Sequence, residues 1–394
     1  MKRIYFLAGE HSGDLHGAGL IAALRERDPA IRLAGAGGAQ MQRAAGNSDD
    51  GLDNWVDQAG ITGLWEVLKR YGWFKAQFDQ HRQRIREWQP DTVVLVDYPG
   101  FNLRLAKALR REHPQLRLVY FIAPQVWAWK KGRIKGMARD LDLMICIFPF
   151  EQELFQNAGL PTVFCGHPLV DALWRKPGPD RVQPVAAPGG RDPGLVAFFP
   201  GSRSNEVERL GPVLVATARR MASANPGLRF AFSAAAESLA TRLREWLLGS
   251  GLAEDCWQVV VGREQAHRLM CEASVGAVAS GTATLEAACL GLPHVLVYRV
   301  NWFTYCMARL VVDIRHLGIV NVIARETVVP ELIQQRCNEQ EVGDALTGLL
   351  HDPAQVENWR ARIDQVLLGL SGDPATPAYV TAAAAALADS KSGA

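Results

Sequence analysis

Short, near-continuous apolar runs recur along the chain, each followed by a stretch whose apolar residues repeat every three or four positions. "RIYFLAG" (3–9), "IRLAGAGG" (31–38), "DTVVLVD" (91–97), "LRLVYFIA" (116–123) and "LDLMICIFP" (141–149) read as buried strands. "HGAGLIAALRERD" (16–28) and "LRLAKALRREH" (103–113) read as amphipathic helices between them. Apolar strands alternating with such helices predict a parallel sheet covered on both faces. The pattern stops at "KPGPDRVQPVAAPGGRDPG" (176–194), where Pro and Gly crowd out any period and predict a junction. It restarts with "LVAFFPGSR" (195–203), "LRFAFSAA" (228–235), "CWQVVVG" (256–262), "SVGAVAS" (274–280) and "PHVLVYR" (293–299). The expected organisation is a Rossmann-like domain over 1–180, a second over 194–365, and a helical tail over 366–394 that returns to the first. Ligands of such sheets bind beyond the carboxyl ends of the strands, and Glu10, Asp97 and Ser280 stand at such ends.

Composition narrows the class. Lys and Arg number 43 against 41 Asp and Glu, so the balance of +2 lacks the footprint of a general nucleic-acid binder. The seven cysteines form no C-x-x-C pair and sit mostly in apolar runs, which suggests buried thiols in a reducing compartment. Cys165 and His167 are too few for a zinc site. "MKRIYFLAGE" is too short in its apolar part for a signal peptide, and no apolar run spans a bilayer. A cytoplasmic protein with at most peripheral membrane contact is expected.

Three loops can carry chemistry. In "VASGTATLEAACLGLP" (278–293) a strand runs through Ser280, Gly281 and Thr282 into a helix whose first amides, to Ala283 and Thr284, can hold a phosphate. Glu286 is then placed to accept ribose hydroxyls. An ordinary helix cap explains the same residues equally well. In "FFPGSRSNEVERL" (198–210), Arg203 can clamp a diphosphate or pair with Glu206 on the surface. In "LAGEHSGDLHGAGL" (7–20), Glu10, Ser12 and Asp14 are polar, and capping is the expected role of Asp14. Gly17, Gly19 and Ala22 match a dinucleotide fingerprint formally but fall inside the helix, so a dinucleotide enzyme is disfavoured. His16 and His167 read as structural. "GITGLWEVLKRYGWFKAQF" (60–78) mixes aromatic, apolar and basic residues as membrane-interface segments do, with Trp65, Leu68, Trp73 and Phe74 as candidate lipid contacts. The competing reading, a helix pair packed on the core, suits Leu64 and Leu68 better than the aromatics. Lys130, Lys131, Arg133 and Lys135 form a second basic cluster.

The segments "AGEHSGD", "GAGGAQM", "GLWEVL", "VDYPGFN", "PQVWAWKKGRIK", "IFPFE", "GHPL", "PGSRSNEV", "SGTATLE" and "VPELIQ" follow one another between Ala8 and Gln334. In this order they resemble the lipid-A-disaccharide synthase family, glycosyltransferases of the GT-B architecture. The resemblance implies two Rossmann-like domains facing each other across a cleft. It implies transfer of 2,3-diacylglucosamine from UDP to the 6-hydroxyl of 2,3-diacylglucosamine 1-phosphate (lipid X), with inversion and with neither cofactor nor bound metal. Asp97 would then be the general base, and Glu10 a second functional carboxylate. Arg203 would hold the diphosphate. Ser280, Gly281, Thr282, Ala283, Thr284, Glu286 and Asn321 would complete the UDP site. The implied partners are the two acylated substrates and the inner-membrane surface, with a homodimer allowed and nucleic acid excluded. The rival readings are another UDP-sugar enzyme of the same architecture, such as an epimerase or a transferase with a soluble acceptor, and a non-catalytic sugar-nucleotide receptor.

Overall fold

A computed structural model describes residues 1–46, 51–59, 70–129, 132–174, 190–301 and 315–388. The chain forms two compact units: Met1–Pro168 with Leu370–Ala394, and Leu169–Gly369. The expected junction at 176–194 lies largely outside the described residues.

The first unit is built on a parallel sheet of β1 (Arg3–Ala8), β2 (Arg32–Gly37), β3 (Leu52–Asn54), β4 (Thr92–Val96), β5 (Arg117–Phe121), β6 (Leu143–Cys146) and β7 (Thr162–Phe164). Its order is β3-β2-β1-β4-β5-β6-β7. Alternate residues of each strand serve opposite faces. Tyr5, Leu7, Val93, Leu95, Leu118 and Tyr120 join one apolar cluster, while Ile4, Phe6, Val94 and Phe121 are equally buried on the other side. The last helix, Ala378–Leu387, helps to cover that second face, with Tyr379 edge-on to Phe121. Arg117 donates to the carbonyls of Ala385 and Ala386, holding the end of this helix. The segment from Leu370 onward thus belongs to the first unit.

The second unit repeats the plan. Its strands are β8 (Asp192–Phe199), β9 (Arg229–Ala234), β10 (Trp257–Val261), β11 (Ala273–Ala279), β12 (His294–Tyr298) and β13 (Glu331–Ile333), ordered β10-β9-β8-β11-β12-β13. Val196 and Phe198 point into one core cluster, and Leu195, Ala197 and Phe199 into the other. Burial on both faces is why these strands read as unbroken apolar runs.

In both sheets the order reverses beside the first strand, at β1/β4 and β8/β11. There the flanking connections leave toward opposite sides and open a crevice at the carboxyl edge.

Candidate functional site

β1 and β4 are paired in parallel, with Ala8 opposite Val96. Glu10 follows one and Asp97 the other, so the topology brings the two carboxylates to the first switch point. Asp97 is half-buried. Burial first, and then the negative charge of Glu10, push its carboxyl up to about 6, partly offset by the Tyr98 amide. Such a group is ionised at neutral pH yet has a real affinity for a proton, which suits a general base.

The backbone here is unusual. Asp97 and Tyr98 have φ of 43° and 52°, and Ile122, at the end of neighbouring β5, has 68°. Non-glycine residues in the left-handed region cost roughly 1–2 kcal/mol each. Specific bonds hold the turn. The Asp97 amide donates to the Phe121 carbonyl at 2.9 Å. The Asp97 carbonyl accepts from Asn102 Nδ2 at 2.8 Å and from the Tyr120 hydroxyl. Asn102 is fully buried, and its amide also faces the carbonyls of Val96 at 3.2 Å and Leu7 at 3.4 Å. One side chain therefore ties the ends of β1 and β4 together beneath both carboxylates. Gly9 is needed for a different reason: a Cβ there would stand 2.3 Å from the Tyr98 ring.

Tyr98 links the carboxylates to an aromatic cluster. Its hydroxyl donates to the Ala59 carbonyl at 2.9 Å, and its ring meets Trp55 and Phe101. Trp55 in turn lies 5.8 Å from Trp73, which is edge-on to Phe74 at 4.9 Å. Trp73 and Phe74 are half-buried against the core, at the start of the helix Tyr71–Trp88, while Tyr71 beside them is exposed. Trp65 and Leu68, like Lys130 and Lys131, lie outside the described residues. Arg133 and Lys135 are exposed.

A third carboxyl was not singled out by sequence. Glu151 is wholly buried, accepts from Trp127 Nε1 at 3.2 Å, and leaves Oε2 without a partner. Burial chiefly, with a smaller push from Asp97, raises it to about 8, which keeps it uncharged at neutral pH. Its sequence signal was a glutamate one turn past a strand end, in "IFPFE". Asp14 does cap a helix, but not its own. It accepts from the amides of Gly38, Gln40 and Met41 at 2.8, 3.1 and 2.9 Å, at the start of the helix Ala39–Ala45. His16 bonds Tyr379 at 3.0 Å, and His167 is buried.

At the second switch point, Phe199 of β8 pairs with Val278 of β11. Arg203 precedes the helix Ser204–Ala224, with its side chain 67% exposed and Nη1 3.2 Å from Glu206 Oε1. Glu206 also accepts from the amides of Ser202 and Arg203 at 3.1 and 3.3 Å. The surface pairing weighed from the sequence is therefore present. An exposed pair contributes at most about 1 kcal/mol, too little to hold Arg203 against a diphosphate.

The Ser280 amide still belongs to the sheet, donating to Val297 at 3.1 Å. Gly281 then takes φ 150°, and the space a Cβ would occupy is open. This suits a turn that a ligand approaches closely. Thr282 and Ala283 follow in the first turn of the helix Thr282–Cys289. Thr284, whose amide the sequence reading offers to a phosphate, is buried, and its hydroxyl donates back to the Gly281 carbonyl at 2.8 Å, shaping the turn. Asn321 is the residue that the resemblance adds to this site. It is fully buried. Nδ2 donates to Val329 O at 2.7 Å and Glu331 Oε1 at 2.8 Å, and Oδ1 accepts from the amides of Val328 and Val329 at 2.9 and 2.8 Å. Its bonding capacity is spent inside the fold. Glu286 lies at the protein surface edge, 14% exposed, with Oε1 2.8 Å from Arg263 Nη2 and Oε2 3.4 Å from His267 Nε2. Sequence reasoning missed both of these neighbours.

The family model for lipid-A-disaccharide synthetase matches residues 4–373. A lipid-A-disaccharide synthase from Trichlorobacter lovleyi is 37% identical over 377 residues, covering 94% of either chain. Among solved structures, a putative UDP-N-acetylglucosamine 2-epimerase from Listeria monocytogenes superposes with TM-score 0.62 at 12% identity, covering 97% of this chain and 94% of its own. The calicheamicin glycosyltransferase CalG4 superposes with TM-score 0.56 at 16% identity, covering 98% of each. An epimerase and a transferase share the fold, so the fold does not choose between them. The family match does: the chain belongs to the lipid-A-disaccharide synthetase family, GT-B glycosyltransferases of lipid A biosynthesis.

Proposed function

We propose that the protein moves 2,3-diacylglucosamine from UDP to the 6-hydroxyl of 2,3-diacylglucosamine 1-phosphate, giving a β-1,6-linked disaccharide phosphate and UDP. The observation that carries this reading is the Asp97–Glu10 pair at the first switch point, in a chain of this family. Asp97 takes the proton of the acceptor hydroxyl as that oxygen attacks the anomeric carbon. The carbon–oxygen bond to UDP breaks on the opposite face, so configuration inverts. The first unit supplies the base and the second holds the nucleotide. There Arg203 and the amides of Gly281, Thr282 and Ala283 offset the charge that grows on the departing diphosphate.

Both substrates carry acyl chains, which water disfavours by about 0.8 kcal/mol per CH₂. The proposed docking surface is the aromatic edge formed by Trp73 and Phe74, continuous through Trp55 and Tyr98 with the neighbourhood of Asp97. Arg133 and Lys135 add positive charge for anionic headgroups. No helix among the described residues is long and apolar enough to cross a membrane, which fits peripheral attachment to the inner membrane. Incubation with both diacylated sugars followed by mass spectrometry tests the reaction. The disaccharide phosphate and UDP are the expected products, and hydrolysed or epimerised UDP-sugar alone would refute the transfer.

A further inference from the structure

Glu286 is held before any nucleotide arrives. It projects from the helix Thr282–Cys289, which follows β11. The helix Arg263–Glu272, which follows β10 at the sheet edge, crosses back to packed contact with it. Arg263 and His267 are four residues apart on this second helix, so they share one face. That face meets Glu286: the guanidinium takes one carboxylate oxygen at 2.8 Å, and the imidazole stands 3.4 Å from the other. The imidazole contact is within ion-pair range but outside good hydrogen-bond alignment, and Nε2 has no other partner. Burial alone would raise the Glu286 carboxyl. His267 and Arg263 outweigh it and hold the group below the usual carboxylate range. The carboxylate therefore stays ionised, in a fixed orientation, with acceptor sites left over, since two oxygens offer about four lone-pair positions.

We infer that Arg263 and His267 are positioning residues that fix Glu286 as a two-hydroxyl acceptor for the ribose of a nucleoside diphosphate. The inference rests on the reading of Glu286 as the ribose-binding acid and adds the pair that orients it. A carboxylate on a helix has several rotamers, and accepting two adjacent hydroxyls requires one of them. Preorganisation by neighbouring side chains removes that entropic cost from binding. Loss of either neighbour should then reduce the contribution of the hydroxyls and leave that of the diphosphate alone.

The test compares UDP with 2′,3′-dideoxy-UDP by calorimetry on the full chain. The parent protein should bind UDP at least about 10-fold more tightly than the dideoxy compound, the loss expected when a built hydrogen-bonding site meets a ligand lacking its hydroxyls. Arg263→Ala and His267→Leu should each bring this ratio to about 3 or below. Dideoxy-UDP affinity should stay within about twofold of the parent. Arg263→Lys should restore part of the ratio, which a merely structural arginine would not predict. The Arg263 side chain is 58% exposed, so its truncation leaves the fold intact. An unchanged ratio in both variants overturns the positioning inference while leaving Glu286 in its role. A ratio near 1 in the parent overturns the ribose reading itself. A fall in both affinities with the ratio preserved makes Arg263 a direct ligand of the diphosphate and likewise overturns the inference.

Discussion

The two switch points have the same topology and opposite chemistry. At β1/β4 the chain presents Glu10 and Asp97, and strains non-glycine backbone to do so. At β8/β11 it presents Arg203 and helix-start amides, and it uses Gly281 where the backbone departs from ordinary φ. The first arrangement half-buries a carboxyl beside a second negative charge, and burial first and Glu10 second raise it toward neutrality. The second concentrates positive potential, which favours an anion. A doubly wound sheet fixes where a site lies; the residues in the first loop after each strand decide what it does. The first site also needs a supporting side chain, Asn102, because a left-handed Asp97 does not hold itself.

The comparison predicts effects that separate by unit. Asp97→Asn preserves shape and removes the basic oxygen, so kcat should fall about 100-fold or more while UDP affinity is unchanged. A weakened UDP affinity in this variant would merge the two sites that the comparison separates. Arg203→Ala should do the reverse, weakening UDP by about 2 kcal/mol, roughly 30-fold in Kd. Unchanged calorimetry would leave Arg203 as no more than the partner of Glu206. A smaller effect is expected on the aromatic edge. Trp73→Ser with Phe74→Ser should reduce vesicle flotation and turnover on acylated substrates by about 10-fold, with UDP binding retained. Because both rings also pack on Trp55 and its neighbours, the melting temperature should drop in the same variant. Loss of stability with full flotation would return this edge to the core.

Much of the fold was legible in the sequence because both sheets are buried on two faces. Strands such as Val93–Val96 and Leu195–Phe199 then leave unbroken apolar runs. β3, β7 and β13 were not legible: each has only three residues, too few to show a run or an alternation. The strand-end residues Glu10, Asp97, Arg203 and Gly281 could be read from position alone. The orientation of side chains could not. The Thr284 hydroxyl and the Asn321 amide both turn inward, onto Gly281 and onto Val329 and Glu331, and position in the chain does not record this. Asn102 and Tyr120 gave no signal because their partner is a main-chain carbonyl brought near by sheet order. Arg263 and His267 meet Glu286 only through a crossover helix, a proximity that no local spacing records.

In the proposed mechanism Asp97 acts as a base whose proton affinity is set by burial and by Glu10. The pH dependence of kcat/KM, measured for the parent and for Glu10→Gln, tests it most directly, since that profile reports the ionisation of the free enzyme. A base must be deprotonated to act, so activity should rise with pH through an apparent pKa of about 6. Glu10 raises that value by like-charge repulsion, so removing its charge should move the rise to lower pH. A profile that is flat from about pH 5 to 8, or a rise that stays in place in Glu10→Gln, would contradict the account.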